Sequence, residues 1–256
     1  MALLIGCASL FVLIFIGYMW IEAKRNSVVH HNMTLSRFPK TFESLRIFFI
    51  SDIHRRTIPD RLLHKIKEKV DIVIIGGDLT EKGVPFSRVL HNIRQLKKLG
   101  PVYFVWGNND YEVDYHELDA LLLSEQVTIL DNTAVKFESA EGESFDLLGV
   151  DDTSKKRAQL HLALQDCEEE SFKILVSHNP SIIHKVKKED KIDFVLSGHT
   201  HGGQIRFFGI GPYEIGGLKE VNGTTLFVSN GYGTTAIPFR LGARSETHYI
   251  VISRTK

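Results

Sequence analysis

The sequence predicts an α/β chain, two packed sheets with outer helices, carried behind an N-terminal helix long enough to span a bilayer. Three observations predict it. Short apolar runs rich in Ile, Val and Phe recur along the chain (LRIFFI, DIVII, PVYFVW, FKILV and DFVLS). Such runs read as buried parallel strands. Amphipathic stretches separate them in the first half as βαβαβα, and short strands follow in the second, the pattern of two sheets packed face to face under helices. Finally, Met1 to Ile21 is apolar and without charge, long enough to cross a membrane.

The elements follow in order. Residues 1–22 form the anchor, with Tyr18 and Trp20 where an interfacial belt falls. No basic stretch precedes the apolar run and no convincing cleavage site follows it, so an uncleaved anchor in the lipid bilayer is expected. Lys24, Arg25 and Arg37 follow the helix, which favours the cytoplasmic face of the membrane for the rest of the chain. Residues 23–40 are polar and read as a linker, and 41–256 as one domain. Strands are expected near 45–51, 72–76, 102–106, 127–130, 134–138, 145–150, 172–177, 193–197, 204–207, 225–229 and 247–253. Helices are expected near 60–69, 86–99, 114–124, 155–165 and 181–186, with Asp60 as N-cap of the first.

Short His/Asp/Asn clusters follow the apolar runs: SDIH (Ser51 to His54), GGD (Gly76 to Asp78), GNND (Gly107 to Asp110), SHNP (Ser177 to Pro180) and GHTHGG (Gly198 to Gly203). They would meet at the carboxyl ends of neighbouring strands, where open α/β sheets bind ligands. Asp52, His54, Asp78, Asn108, His178, His199 and His201 supply oxygen and imidazole donors and no thiolate, a set suited to Mn, Fe or Zn. Seven ligands suit two ions, about 3.5–4 Å apart and bridged by a carboxylate. Asp52 and His54 stand two apart, as do His199 and His201, so on a strand each pair points to one side. Gly198, Gly202 and Gly203 let the backbone pass close to the ions.

Five such motifs in this order resemble the calcineurin-like metallophosphoesterases, whose pattern is D-x-H, G-D, G-N-H-D/E, a lone His and G-H-x-H. GHTHGGQ and the later NGYGTTAIPFR are similar to a membrane-associated bacterial branch related to UDP-2,3-diacylglucosamine pyrophosphatases, from about Leu45 to near the C-terminus. The resemblance implies a four-layer α/β/β/α sandwich. It places Asp52, His54, Asp78 and His201 on one ion and Asp78, Asn108, His178 and His199 on the other, with Asp78 bridging and Asn108 orienting phosphate. It implies hydrolysis of a phosphoester by metal-activated water, without a Ser or Cys nucleophile. The family usually has His after the motif Asn; here it is Asn109. An amide donates a hydrogen bond but not a proton. Losing a general acid costs about 10²–10⁴-fold where the leaving group needs protonation. Asn109 therefore favours good leaving groups, as in a phosphodiester or pyrophosphate on a lipid-linked or nucleotide-type substrate. His116 and Asp110 are candidates to replace the missing acid.

Arg55 and Arg240 are candidates to hold a phosphate oxygen, against the alternative of surface ion pairs. His30, His31, His64, His91 and His161 read as solvated, while His184 and His248 are weaker candidates to line the site. Gly231, Gly233 and Ala236 imitate a dinucleotide fingerprint, but Pro238 denies it a helix. The two cysteines, Cys7 in the anchor and Cys167 in the domain, cannot pair within the fold. Formal net charge is +0, without the basic excess of a nucleic-acid-binding domain, so no nucleic-acid partner is expected. The local run KVKKEDK reads as a solvated helix end or a contact to anionic head groups. A nucleic-acid phosphodiesterase and a non-catalytic scaffold on the same fold stay open as alternatives.

Overall fold

The computed structural model describes residues 1–254. In chain order the elements are α1 (Ala2–Ala23), β1 (Val28–Thr34), β2 (Ser44–Ile50), α2 (Asp60–Leu63), β3 (Ile72–Ile75), α3 (Phe86–Lys97), β4 (Val102–Phe104), α4 (Tyr115–Ser124) and β5 (Thr128–Ile129). Then come β6 (Thr133–Glu138), β7 (Ser144–Gly149), α5 (Leu160–Gln165), β8 (Phe172–Val176), β9 (Phe194–Ser197), β10 (Gly217–Val221), β11 (Thr224–Val228) and β12 (Thr247–Ser253). One sheet runs β1-β12-β2-β3-β4-β5 and the other β10-β11-β9-β8-β7-β6.

The central strands are buried on both faces, which is why they read as unbroken apolar runs. Alternation then divides their side chains between layers. Ile47, Phe49, Ile72 and Ile74 meet Ile174, Val176, Phe194 and Leu196 between the sheets. Phe48, Ile50, Val73 and Ile75 point outward to Leu62, Val89, Ile93, Leu96, Leu118 and Leu122 on α2, α3 and α4. On the far side Leu148, Leu175 and Val195 pack on Leu160, Ala163, Ile182 and Ile183. Three apolar layers between four structural layers make the α/β/β/α sandwich.

Several expectations are corrected. Residues 23–40 are not a linker: β1 lies there, parallel to β12 from Val28↔Thr247 to Thr34↔Ser253. Its inward residues, Val29, His31 and Met33, alternate with exposed His30, Asn32 and Thr34, an edge-strand pattern hidden by two histidines and an asparagine. The helix expected over 60–69 stops at Leu63, and Asp60 is its first residue rather than its cap, bonding Lys98 Nζ at 3.0 Å instead. Residues 204–207 make only isolated bridges, Ile205 to Leu241 and Phe207 to Ile210, while β10 was not foreseen. The 155–165 helix is confined to α5, and 181–186 is a 3-10 turn over Pro180–His184.

Helix α1 presents an apolar surface all round, with Leu10, Phe11, Leu13 and Ile14 exposed, until Glu22 and Ala23 become buried. Its end docks on the sandwich. The Arg240 amide donates to the Met19 carbonyl at 3.1 Å. The Arg56 guanidinium lies 3.6 Å over the Tyr232 ring and donates to the carbonyls of Lys24 and Arg25 and to Asn26 Oδ1. Planar cations stacked on aromatic rings gain from the ring's negative face, more so when desolvated.

Candidate metal centre

Each motif begins just after a strand: Asp52 and His54 after β2, Asp78 after β3, Asn108 and Asn109 after β4, His178 after β8, and His199 and His201 after β9. Both sheets therefore contribute to one rim. The ligand pairs do not lie on strands, as their spacing suggested. Asp52, His54, Asp78, His199 and His201 all have left-handed backbones, with φ of 57°, 52°, 50°, 71° and 50°. That conformation disfavours residues with a Cβ, at about 1–3 kcal/mol each, and persists only where surrounding structure imposes it. Here Asp52 N donates to the Gly77 carbonyl at 3.0 Å, His54 N to the Asp78 carbonyl at 3.1 Å, and Gly233 N to the Asp52 carbonyl at 2.6 Å. Glycine is required where loops touch: a Cβ on Gly198 would stand 2.5 Å from Asp52 Oδ2, and one on Gly107 would strike the Asp78 amide and carboxylate.

The donors converge. His54 Nε2 lies 3.2 Å from His201 Nε2 and 3.7 Å from Asp78 Oδ2, and His201 Nε2 lies 3.3 Å from Asp52 Oδ1. On the other side His178 Nε2 is 3.2 Å from both Asp78 Oδ2 and His199 Nδ1. Asp52, His54 and His201 form one cluster with ligand atoms within 4.8 Å, and Asp52, Asp78 and His178 form another. Asp78 lies against both sides. Asn108 Oδ1 is buried without a hydrogen-bond partner, as expected of an oxygen meant for a cation.

Second contacts set the imidazoles. His178 Nδ1 bonds the Gly76 carbonyl at 2.9 Å, and His54 Nδ1 lies 3.0 Å from Glu81 Oε2. Since a carbonyl or carboxylate accepts from Nδ1, each ring turns the Nε2 lone pair to the centre, as a metal-binding histidine requires. Glu81 is a candidate site residue that sequence reasoning missed: it stands three residues after the motif Asp78 in DLTEK, and only the fold brings it to His54. Asp110 accepts from the Asp78, Thr80 and Gly107 amides at 2.8, 3.0 and 2.9 Å, so it braces two motif loops and is not a free acid. His116 is exposed on α4 against Tyr115. Asn109 N donates to Asp78 Oδ1 at 2.8 Å, and its side-chain amide accepts from Asn108 Nδ2 at 2.8 Å and lies 3.3 Å from His54 Nδ1.

Charge follows geometry. Burial alone would raise the Asp78 carboxyl, but His178, His54 and the Asn109 amide outweigh it and hold it well below the usual carboxylate range. Burial, with Arg240 and His54 beside it, pushes His201 down to about 3 against the pull of Asp52, which leaves a neutral imidazole. Two ionised carboxylates among inward-facing imidazoles, an orphaned amide oxygen and no thiolate fit a pair of divalent cations. Asp52, His54 and His201 would hold one and Asn108, His178 and His199 the other, with Asp78 between them.

The remaining candidates fall elsewhere. Arg240 is fully buried, and its guanidinium is taken up by the carbonyls of Asn230, Gly231, Gly233, His201 and Ala243, with Nη2 3.1 Å from His201 Nδ1. It positions His201 and cannot reach a substrate. Arg55 is exposed but ion-paired with Glu81. His248 is buried between the sheets, bonding Ser229 Oγ at 2.9 Å and His31 at 3.2 Å, so His31 is half-buried rather than solvated. His184 is exposed beside a neighbouring apolar cavity. Gly231 and Gly233 form a turn at the rim, against Asp52 and Ile53.

A family model described as calcineurin-like phosphoesterase matches residues 45–203. The chain is 45% identical to the uncharacterized protein YpbG of Bacillus subtilis (strain 168), covering 91% of this chain and 90% of that protein. It is 30% identical to a transmembrane protein with metallophosphoesterase domain of Bos taurus, over 90% of this chain and 58% of that protein. It is 26% identical to the phosphodiesterase YaeI of Escherichia coli (strain K12), over 90% of each. The match spans every motif that builds the rim, and the chain belongs to the calcineurin-like phosphoesterases, metal-dependent hydrolases of phosphoric esters.

Proposed function

We propose that this chain hydrolyses a phosphodiester or pyrophosphate, on a lipid-linked or nucleotide-type substrate, using two ions of Mn, Fe or Zn. The observation that carries the reading is Asn109. It lines the pocket of about 240 Å³ with Asp78, Asn108, His199 and His201 where the family's proton donor usually stands. Neither Asp110 nor His116 is free at that position. A leaving group that departs without a proton suits such a site.

Bound ions would supply an activated water and positive charge for the phosphoryl oxygens. The chain's own residues supply position. Asn108 and the Asn109 amide face the phosphate, and the exposed faces of Tyr213 and Thr235 close the pocket wall. A cavity of about 580 Å³ adjoins it, sharing His199, Thr200 and Tyr213 and lined by Ile183, Ile215, Val221, Leu226 and Val228. An apolar cavity with a few polar groups at one end suits an amphiphilic ester. The Met19 carbonyl on α1 bonds Arg240, which holds His201, so the rim stands close to the end of the apolar helix. The similarity to the phosphodiesterase YaeI and to the transmembrane relative supports the same reading.

The test uses the full chain in detergent micelles with Mn²⁺. An aryl phosphodiester should be turned over with kcat/KM at least about tenfold above an alkyl monoester, and chelation should abolish both. A preference for the alkyl monoester would overturn the leaving-group reading. A lipid-linked pyrophosphate and single-stranded DNA, run side by side, separate the membrane substrate from the polymer.

A further inference from the structure

The root of α1 forms one wall of a second cavity, of about 760 Å³, that shares no lining residue with the metal pocket. Trp20 and Ile21, in the last turn of the apolar helix, make its apolar side. The opposite side is cationic. Lys24, Arg61, Lys65 and Arg88 line it, none ion-paired among the described residues, and the buried Arg56 adds charge to the wall although its guanidinium is taken up by the Lys24, Arg25 and Tyr232 carbonyls, Asn26 and Ser245. Lys65 Nζ reaches only the Asn26 carbonyl and Arg88 Nη1 only the Arg55 carbonyl, at 2.8 Å for the latter. Arg25 and Arg55 also border the cavity but are matched by Glu22 and Glu81. Among the described residues no carboxylate lines it.

These cations come from three stretches of the sequence, at 24, 56–65 and 88, and the fold gathers them around one cavity beside the helix end. Burial, then Arg56 and Arg88, push the Lys24 ammonium down. Like charges crowded this way are stabilised by a shared anion. The neighbouring Trp20 and Ile21 place that anion where a bilayer's head groups lie, because an aromatic at a helix end marks the interface and basic residues just beyond it attract anionic lipid.

We propose that this cavity binds the phosphate head group of an anionic phospholipid, holding the domain in a fixed pose on the bilayer. The claim does not depend on which ester the metal centre cleaves.

The full chain in dodecylmaltoside micelles is titrated with dioleoylphosphatidylglycerol, dioleoylphosphatidylcholine or glycerol 1-phosphate while its unfolding midpoint is followed. Phosphatidylglycerol should raise the midpoint, and the zwitterionic lipid and soluble phosphate should not. Arg61→Gln with Lys65→Gln, both exposed, should weaken the apparent affinity by about fivefold per cation, roughly 25-fold for the pair. Turnover of a soluble aryl diester should be unchanged in this variant. Arg88→Gln provides a second, single-site check. An equal response to glycerol 1-phosphate would assign the cavity to a soluble phosphate and overturn the lipid claim. So would equal responses to both lipids, or a response that survives in both variants.

Discussion

At the scale of single residues, the centre depends on groups that touch no substrate. Glu81 fixes His54 through Nδ1, 3.0 Å away. Glu81→Gln should lower metal affinity or activity about 10–100-fold while the fold persists, checked by metal titration and circular dichroism. Asp78 lies against both ligand sets. In Asp78→Asn the bound metal should fall by more than one ion per chain, and elemental analysis showing full metal content with full activity would remove its bridging role. Asn109 determines leaving-group demand under the proposed function. Asn109→His should raise kcat on an alkyl monoester by about 10²-fold or more and change the aryl diester rate little. An unchanged ratio would separate Asn109 from the leaving group.

At the scale of elements, β1 changes what the N-terminal region does. Its pairing with β12 puts His31 beside His248, whose ring stacks against Phe49 and meets Phe227 edge-on. Burial pushes both imidazoles down, well below the ordinary value for His248. The unfolded chain then binds more protons than the folded one as pH falls below about 6.5, so this pair's contribution is present above that pH and lost beneath it. The melting temperature should decline below that pH in the wild type, and less steeply in His248→Gln. Identical pH profiles would show that the pair stays neutral in both states or does not matter. The clamp on Lys24 to Asn26 leads to a further contrast. Removing residues 2–18 leaves the Met19 carbonyl and β1 in place and should shift the midpoint by under about 2 °C. Removing residues 1–34 strips β12 of one of its two neighbours and Arg56 of the Lys24 and Arg25 carbonyls, and should lower it on the order of 10 °C.

At the scale of the whole molecule, the catalytic domain is not suspended on a flexible tether. The chain leaves α1 and enters the first sheet within a few residues, pinned by Arg56, Tyr232 and Ser245. Under the proposed function, with the apolar helix in a bilayer, the metal rim would stand close to its surface and bilayer-embedded esters would meet it at high effective concentration. Without residues 2–18, turnover of a small aryl diester should persist, and the rate on a lipid substrate in vesicles should fall. Equal losses on both substrates would mean that the helix supports the fold rather than substrate access. Protease treatment of intact cells tests the cytoplasmic orientation favoured by Lys24 and Arg25, and a domain cut from outside would reverse it.

Sequence alone determined the two-sheet architecture and singled out the candidate metal ligands, because both are written locally. Strands buried on two faces become unbroken apolar runs, and the motif residues sit immediately after them, where the fold class puts a ligand. Periodicity failed at β1, whose inward His31 looks polar, and at 204–207, where the Arg206 amide bonds the Leu241 carbonyl at 2.7 Å but the bridges stay isolated. Tertiary structure alone decided how the ligands converge. The left-handed backbones at Asp52, His54, Asp78, His199 and His201 are imposed by bonds to loops distant in sequence, not by strand alternation. It also decided the fate of the two arginines. A guanidinium beside a phosphate and one buried among backbone carbonyls look identical in a sequence, since long-range backbone acceptors leave no local trace. Glu81 and the cationic cavity escaped for the same reason: their partners are far apart along the chain and adjacent only once the sheets have packed.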